Sequence, residues 1–145
     1  MQEDKGTIMR DFFKTWEAED VEKSLALFNE DAVVTEPLGT FRGRDAIRHS
    51  LAARFKTNKN TKITETGNGI IGQGNKAFSE FTISTYIQSK KCEFLAMCAY
   101  EISDGKFKTI TTVYDRLLIA QQAAKGWLPK TLINMVTKQM EKAMK

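Results

Sequence analysis

Hydrophobic periodicity changes along this chain, and that change constrains the fold more than any single motif does. Early apolar positions recur at helical spacing: Ile8, Phe12 and Trp16 lie four apart, and Phe13 widens their stripe. From Thr61 to about Ile119 the period falls to two, as expected of strands. A chain with helices first and strands afterwards is expected to be α+β, its helices packed on one side of an antiparallel sheet. The 145 residues suffice for one such domain with a sizeable core and are too few for two ordinary ones.

The first helix is expected to end near Glu19. Asp20 can cap a second, short helix in which Val21, Leu25 and Phe28 share a face, with Asn29-Glu30-Asp31 stopping it. The β-branched run Ala32–Glu36, closed by Pro37 and Gly39, reads as a strand leading into a loop. A third helix after Gly43 buries Ile47, Leu51 and Phe55 and turns Arg44, Arg48 and Arg54 to water. Four long strands follow as a meander. Their turns fall at Gly72–Asn75, Ser89–Lys91 and Asp104-Gly105, the last a dipeptide that tolerates positive φ at both central positions. Pro129 suits the first turn of a final helix with Leu132, Val136, Met140 and Ala143 on one side. Residues 1–122 are thus the α+β domain and 123–145 a helical extension of it.

Several classes of function receive no support. The longest apolar runs, such as Phe94–Tyr100, are far shorter than the ~20 residues of a membrane span. Met1–Lys5 lacks the apolar segment of a signal peptide, so a cytoplasmic location is expected. The net charge of +4 reads as solvated helix faces, including that of the last helix, rather than as a nucleic-acid-binding arm. Cys92 and Cys98 share parity in one strand, about 20 Å apart when extended, and cannot bridge each other. Besides these two thiols there is only His49, off the apolar stripe of its helix, so neither a metal site nor another cofactor is expected. Gly67-Asn68-Gly69-Ile70-Ile71-Gly72 has the spacing of a dinucleotide-binding loop. Such a loop must open a helix, whereas Ala77–Ile87 alternates like a strand, so these glycines read as a bend.

Two carboxylates stand where acids are costly. Asp115 shares its parity with Thr111, Val113 and Leu117 and is followed by Leu117-Leu118-Ile119; on an apolar face, burial would tune it for acid/base work. Glu36 continues the Ala32 and Val34 face to the mouth of the Pro37 loop. Asp115 can instead be structural, paired with an arginine or hydrogen-bonded to a backbone group, and Glu36 can simply be solvated. The strand Glu93–Ile102 is apolar on both sides, with Leu95, Met97 and Ala99 opposite Phe94, Ala96, Cys98 and Tyr100. The helices can cover only one of these faces, so a homodimer packed sheet to sheet is expected.

Read in order, the segments Trp16–Val21, Leu27–Val34, Glu36–Gly39, Arg42–Ile47 and Asp104–Asp115 form a recognisable set. Over residues 6–122 the chain resembles the SnoaL-like group of the nuclear-transport-factor-2-like superfamily, which includes ketosteroid isomerases. The resemblance implies a cone-shaped barrel of curved sheet wrapped around N-terminal helices, a deep apolar pocket and commonly a dimer. It leaves the final helix unexplained, as a cap on the pocket or an extension of the interface. The acid/base of SnoaL-like cyclases matches Asp115, and the base of ketosteroid isomerases matches Glu36. Phe12 and Met97 stand where those isomerases carry their oxyanion donors, which argues against steroid isomerisation. The histidines of the dehydratase branch are also missing.

The expected function is therefore a small-molecule pocket, with a cofactor-independent cyclase- or isomerase-type reaction on an apolar, carbonyl-bearing substrate through Asp115. Phe12, Trp16, Leu38, Phe41, Tyr100 and Tyr114 would contact the substrate, and Tyr100 or Tyr114 could donate to an oxyanion. The alternative is a non-catalytic ligand-binding or dimerisation module of the same fold.

Overall fold

The computed structural model describes residues 2–144. Its first half holds α1 (Gln2–Glu17), α2 (Val21–Ala26), β1 (Phe28–Glu36), β2 (Gly39–Arg42) and α3 (Gly43–Thr57). The second half holds β3 (Asn58–Gln73), β4 (Lys76–Ile87), β5 (Lys90–Ser103), β6 (Lys106–Tyr114), α4 (Arg116–Ala123) and α5 (Trp127–Ala143). The strands form one six-stranded sheet in the order β2-β1-β6-β5-β4-β3. It curves around the helices without closing into a barrel. β3 to β6 are the antiparallel meander expected, while β1 joins β6 in parallel.

Local chemistry sets most of the boundaries. Asp20 caps α2 by accepting from the Lys23 N–H at 2.9 Å. Phe28 does not extend that helix. It opens β1 fully buried, because its ring meets Phe12 and Phe107 at centroid distances of 5.5 Å each. Tyr100 stacks on Phe107 at 5.4 Å, so α1, β1, β5 and β6 meet in one aromatic cluster. The glycine pair in β3 is a bend: Gly67 and Gly69 have φ of 55° and 60°, and the register with β4 shifts between Glu65 and Ile70. A Cβ on Gly67 would collide with the Glu80 carboxylate, which accepts from Asn68 N and Nδ2 at 3.2 and 3.0 Å.

The largest departure lies at the end of the sheet. The last strand was expected to reach Ile119; it stops at Tyr114, and Leu117-Leu118-Ile119 belong to α4. Asp115 caps that helix, accepting from Leu118 N at 3.0 Å. Beyond Tyr114, which pairs with Ala96, the opening stretch of β5 has no strand beside it on that edge. α4 takes the place of one: Gln122 Nε2 donates to the Glu93 carbonyl at 2.8 Å, and Gln122 Oε1 accepts from Glu93 N at 2.6 Å. α5 packs on α4 through Ile133 and Thr137, with Gln121 Nε2 donating to Thr137 Oγ1 at 2.8 Å. Among the described residues no helix is long and apolar enough to cross a membrane.

Candidate functional site

Between the concave face of the sheet and α1, α3 and α4 lies a cavity of about 550 Å³. Strand alternation decides what faces it. In β5 Phe94, Cys98 and Tyr100 point inward, and in β6 Ile110, Thr112 and Tyr114 do the same. Phe12 and Trp16 line it from α1, Phe41 from β2, and Leu38, from the β1–β2 turn, stands at the rim and is largely exposed. All six side chains expected to contact a substrate therefore line the cavity. The walls are overwhelmingly apolar, the usual character of a small-molecule site.

The polar pole of the cavity is built from Glu36, Arg54 and Tyr114. Glu36 closes β1, Tyr114 closes β6, and Arg54 reaches in from the last turn of α3. The Glu36 side chain is 7% exposed and that of Arg54 18%. Glu36 Oε1 is ion-paired with Arg54 Nη2. Tyr114 Oη donates to Glu36 Oε2 at 3.4 Å and accepts from Arg54 Nη2 at 3.2 Å. The guanidinium also lies over the Tyr114 ring, 5.9 Å from its centroid. Burial opposes the charge on Arg54, but the Glu36 carboxylate outweighs it and raises its pKa further. Burial also raises Tyr114 above the ordinary phenol range, against the pull of Arg54, so at neutral pH it is a hydrogen-bond donor.

A second polar group sits deeper. Ser79 Oγ and Tyr100 Oη are 2.7 Å apart, and Cys98 Sγ is 3.0 Å from Thr112 Oγ1. Burial pushes the Cys98 thiol up to about 11, and it holds Tyr100 well above the ordinary range as well. Cys98 is therefore a protonated, buried thiol rather than an activated nucleophile.

The two expected acids part company here. Glu36 is the only carboxylate among the described residues that line the cavity. Asp115 is exposed, lies outside the lining and spends a carboxylate oxygen on its helix cap. It follows Thr111 and Val113 in parity, but that face is the convex one, where Val113 is 56% exposed. Met97 turns to the same convex face, and its neighbour Cys98 lines the cavity. Arg54 had been expected to face water. It stands seven residues after Ile47 and three after Leu51, which places it on the buried stripe, and that spacing is the signal by which the sequence marks it. His49 lines the cavity but is exposed. Among the described residues no group of three or more His, Cys, Asp or Glu side chains could hold a metal ion.

No curated protein sequence matches the chain. Solved structures match it in fold at low identity. A ketosteroid-isomerase-like protein from Catenulispora acidiphila in complex with trimethylamine aligns with a TM-score of 0.73 at 16% identity, over 80% of this chain and 91% of its own. An epoxide hydrolase of Mycobacterium tuberculosis aligns with a TM-score of 0.72 at 15% identity, over 94% and 98%. TerC, co-crystallised with polyporic acid, aligns with a TM-score of 0.70 at 15% identity, over 81% and 95%. The family model for the SnoaL-like domain matches residues 9–110, which run from within α1 to the middle of β6 and hold most of the cavity wall, and the chain therefore belongs to the SnoaL-like family.

Proposed function

We propose that this chain binds a small, largely apolar molecule in its cavity, with a carbonyl or hydroxyl oriented at the Glu36–Arg54–Tyr114 pole, and that Glu36 exchanges a proton with it. The observation that carries this reading is the single lining carboxylate, held with its compensating guanidinium at one end of an otherwise apolar chamber. The pole is neutral overall, so it suits an uncharged ligand group rather than a carboxylate or an amine. In an isomerase- or cyclase-type step, Glu36 would take a proton from the carbon beside a carbonyl. Tyr114 and Arg54 would donate to the oxygen as charge develops on it. Asp115, first matched to the cyclase acid, does not line that chamber, and Glu36 takes its role in this proposal. The TerC complex and the epoxide hydrolase are examples of this fold around small molecules, and they lend support at the level of fold.

A second reading has its own observation. Both Glu36 oxygens are engaged, one by Arg54 and one by Tyr114, as in a keystone that ties β1, α3 and β6 together around a non-catalytic pocket. Native mass spectrometry of the purified protein, searching for a co-purifying small molecule, identifies the ligand class. Turnover of that ligand by wild type and by Glu36→Gln then separates the readings. Loss of turnover with binding retained supports catalysis, and absence of turnover in both favours the binding module. A chamber that retains no ligand and takes up no apolar carbonyl compound sinks the proposal.

We also infer a homodimer through the convex sheet face, where Leu95, Met97, Ala99 and Val113 form an apolar patch on adjacent strands. The free buried thiols Cys92 and Cys98 suit a reducing cytoplasmic location.

A further inference from the structure

The structure leaves one amphipathic helix without a partner on its apolar side. α5 meets α4 through Ile133 and Thr137, and its main apolar stripe points elsewhere. Leu132, Met135, Val136 and Met140 are 49–56% exposed, and Trp127 at the helix start is 78% exposed. Leu132, Met135, Val136 and Met140 recur at three- and four-residue spacing along one side, while Trp127, Lys130 and Lys138 lie on the remaining face and Lys142 at the border of the stripe. None of the helix's described side chains lines the cavity.

Charge identifies what would cover this stripe. Beyond Asp115 the chain carries Arg116, Lys125, Lys130, Lys138, Lys142 and Lys145 against Glu141 alone. That is six cations to one anion, a net of +5 where the whole chain has +4, so the first 115 residues are net −1. The basic excess is therefore confined to this segment, contrary to its reading as a general property of helix faces. Burial and then the neighbouring charges of Lys130 and Lys125 lower the pKa of Lys90, so cations crowd the start of α5 with no carboxylate among the influences on it. A second copy docking along the same stripe would bring together two segments of net charge +5, whereas an anionic surface would neutralise that charge.

We propose that α5 is an interfacial helix that docks this domain on an anionic lipid surface, its apolar stripe entering the headgroup boundary and its lysines meeting lipid phosphates. A polar face rich in lysine, a tryptophan at one end and a stripe of leucine, valine and methionine are the features by which such helices bind. The long lysine stems reach the surface from the border of the stripe. The helix lies along the membrane and does not span it.

Co-sedimentation of the full chain with phosphatidylcholine vesicles, alone and mixed with phosphatidylglycerol, tests this. The expected result is binding to the mixed vesicles only, reversed at about 0.5 M salt, where screening shortens to about 4 Å. Tryptophan emission should shift to the blue on binding in the wild type and not in Trp127→Phe. The triple change Lys130→Glu, Lys138→Glu, Lys142→Glu should lower partitioning at least about a hundredfold, since each lysine near such a surface contributes roughly a factor of five. Leu132→Gln with Met135→Gln and Met140→Gln should abolish binding. All six side chains are exposed, so the thermal transition should be unchanged and serves as the folding control. No sedimentation with anionic vesicles, or partitioning indifferent to the charge reversal, overturns the proposal. So does an apolar-face variant that changes particle mass in light scattering without altering vesicle binding, since a second copy would then be the occupant.

Discussion

Replacing Arg54 by methionine tests the central ion pair most directly, because the new side chain keeps much of the volume and removes only the charge and the hydrogen-bond fork. In the wild type the Glu36 carboxylate, 7% exposed, has Arg54 and Tyr114 as its polar neighbours. Removing one member of a fully buried pair costs about 3–5 kcal/mol, most of it the penalty of leaving the other charge uncompensated. Here the guanidinium retains 18% exposure and the pair borders a cavity, so the cost falls below that range and Arg54→Met should cost about 2–3 kcal/mol. With a urea m-value of about 1.5 kcal/mol/M, reasonable for a domain of this size, the midpoint should fall by about 1.3–2 M. The double variant Arg54→Met/Glu36→Gln has no unpaired charge and should regain at least half of the loss. Arg54→Lys should fall between the two, because the ammonium keeps the charge but on a shorter stem than the guanidinium whose Nη2 meets both Glu36 and Tyr114. Urea titrations followed by circular dichroism, with m checked for constancy, supply the numbers. A single variant within about 0.5 kcal/mol of wild type, or a double variant as unstable as the single, would refute the argument that burial makes this pair strong.

Three other outcomes follow from the geometry. Asp115→Ala should cost about 1 kcal/mol through loss of the α4 cap and leave ligand binding intact; a ligand affinity that collapses without a matching loss of stability would return Asp115 to the site. Gly67→Ala should cost about 1–3 kcal/mol, because an L side chain at positive φ is strained and its Cβ would displace the Glu80 carboxylate; thermal unfolding at neutral pH measures it, and no change would mean the bend relaxes freely. The Cys98 thiol, raised to about 11 in the folded protein, binds its proton more tightly there than in the unfolded chain at about 9. Its contribution of about 2–3 kcal/mol is complete below pH 9 and is lost as pH rises towards 11. Wild type should therefore lose stability more steeply than Cys98→Ala between those values, and parallel curves would count against the burial of that thiol.

How much of the site could be read in advance depends on whether a residue's role is local or depends on what its neighbours do. Glu36 and Tyr100 could be placed on the faces of Val34 and Phe94 because alternation along a strand, anchored by obvious core residues, tells which side chains share a face, whereas the parity that singled out Asp115 says nothing in favour of Tyr114. Arg54 lies within the same helical period as Ile47 and Leu51, yet its charge led to its assignment to water. The stripe was legible, but the carboxylate waiting for it on β1 was not. Asp115 shows the converse. Its parity was legible, but parity alone does not say which face is concave, and nothing local says that the strand ends one residue earlier.

Composition, period and turn chemistry in the sequence determined that this chain is one α+β domain, helical first and stranded second, with a hairpin at Asp104-Gly105 and an amphipathic helix at the end. Those properties are set by near neighbours in the chain. Only the tertiary structure decided that β6 stops at Tyr114, because Gln122 satisfies the Glu93 backbone that a longer strand would have paired. It alone brought Glu36 and Arg54 together, and it alone left the stripe of α5 uncovered. The physical reason is the same in each case: burial, charge compensation and satisfaction of backbone groups depend on partners distant in the chain, and a local pattern carries no record of which partner arrives.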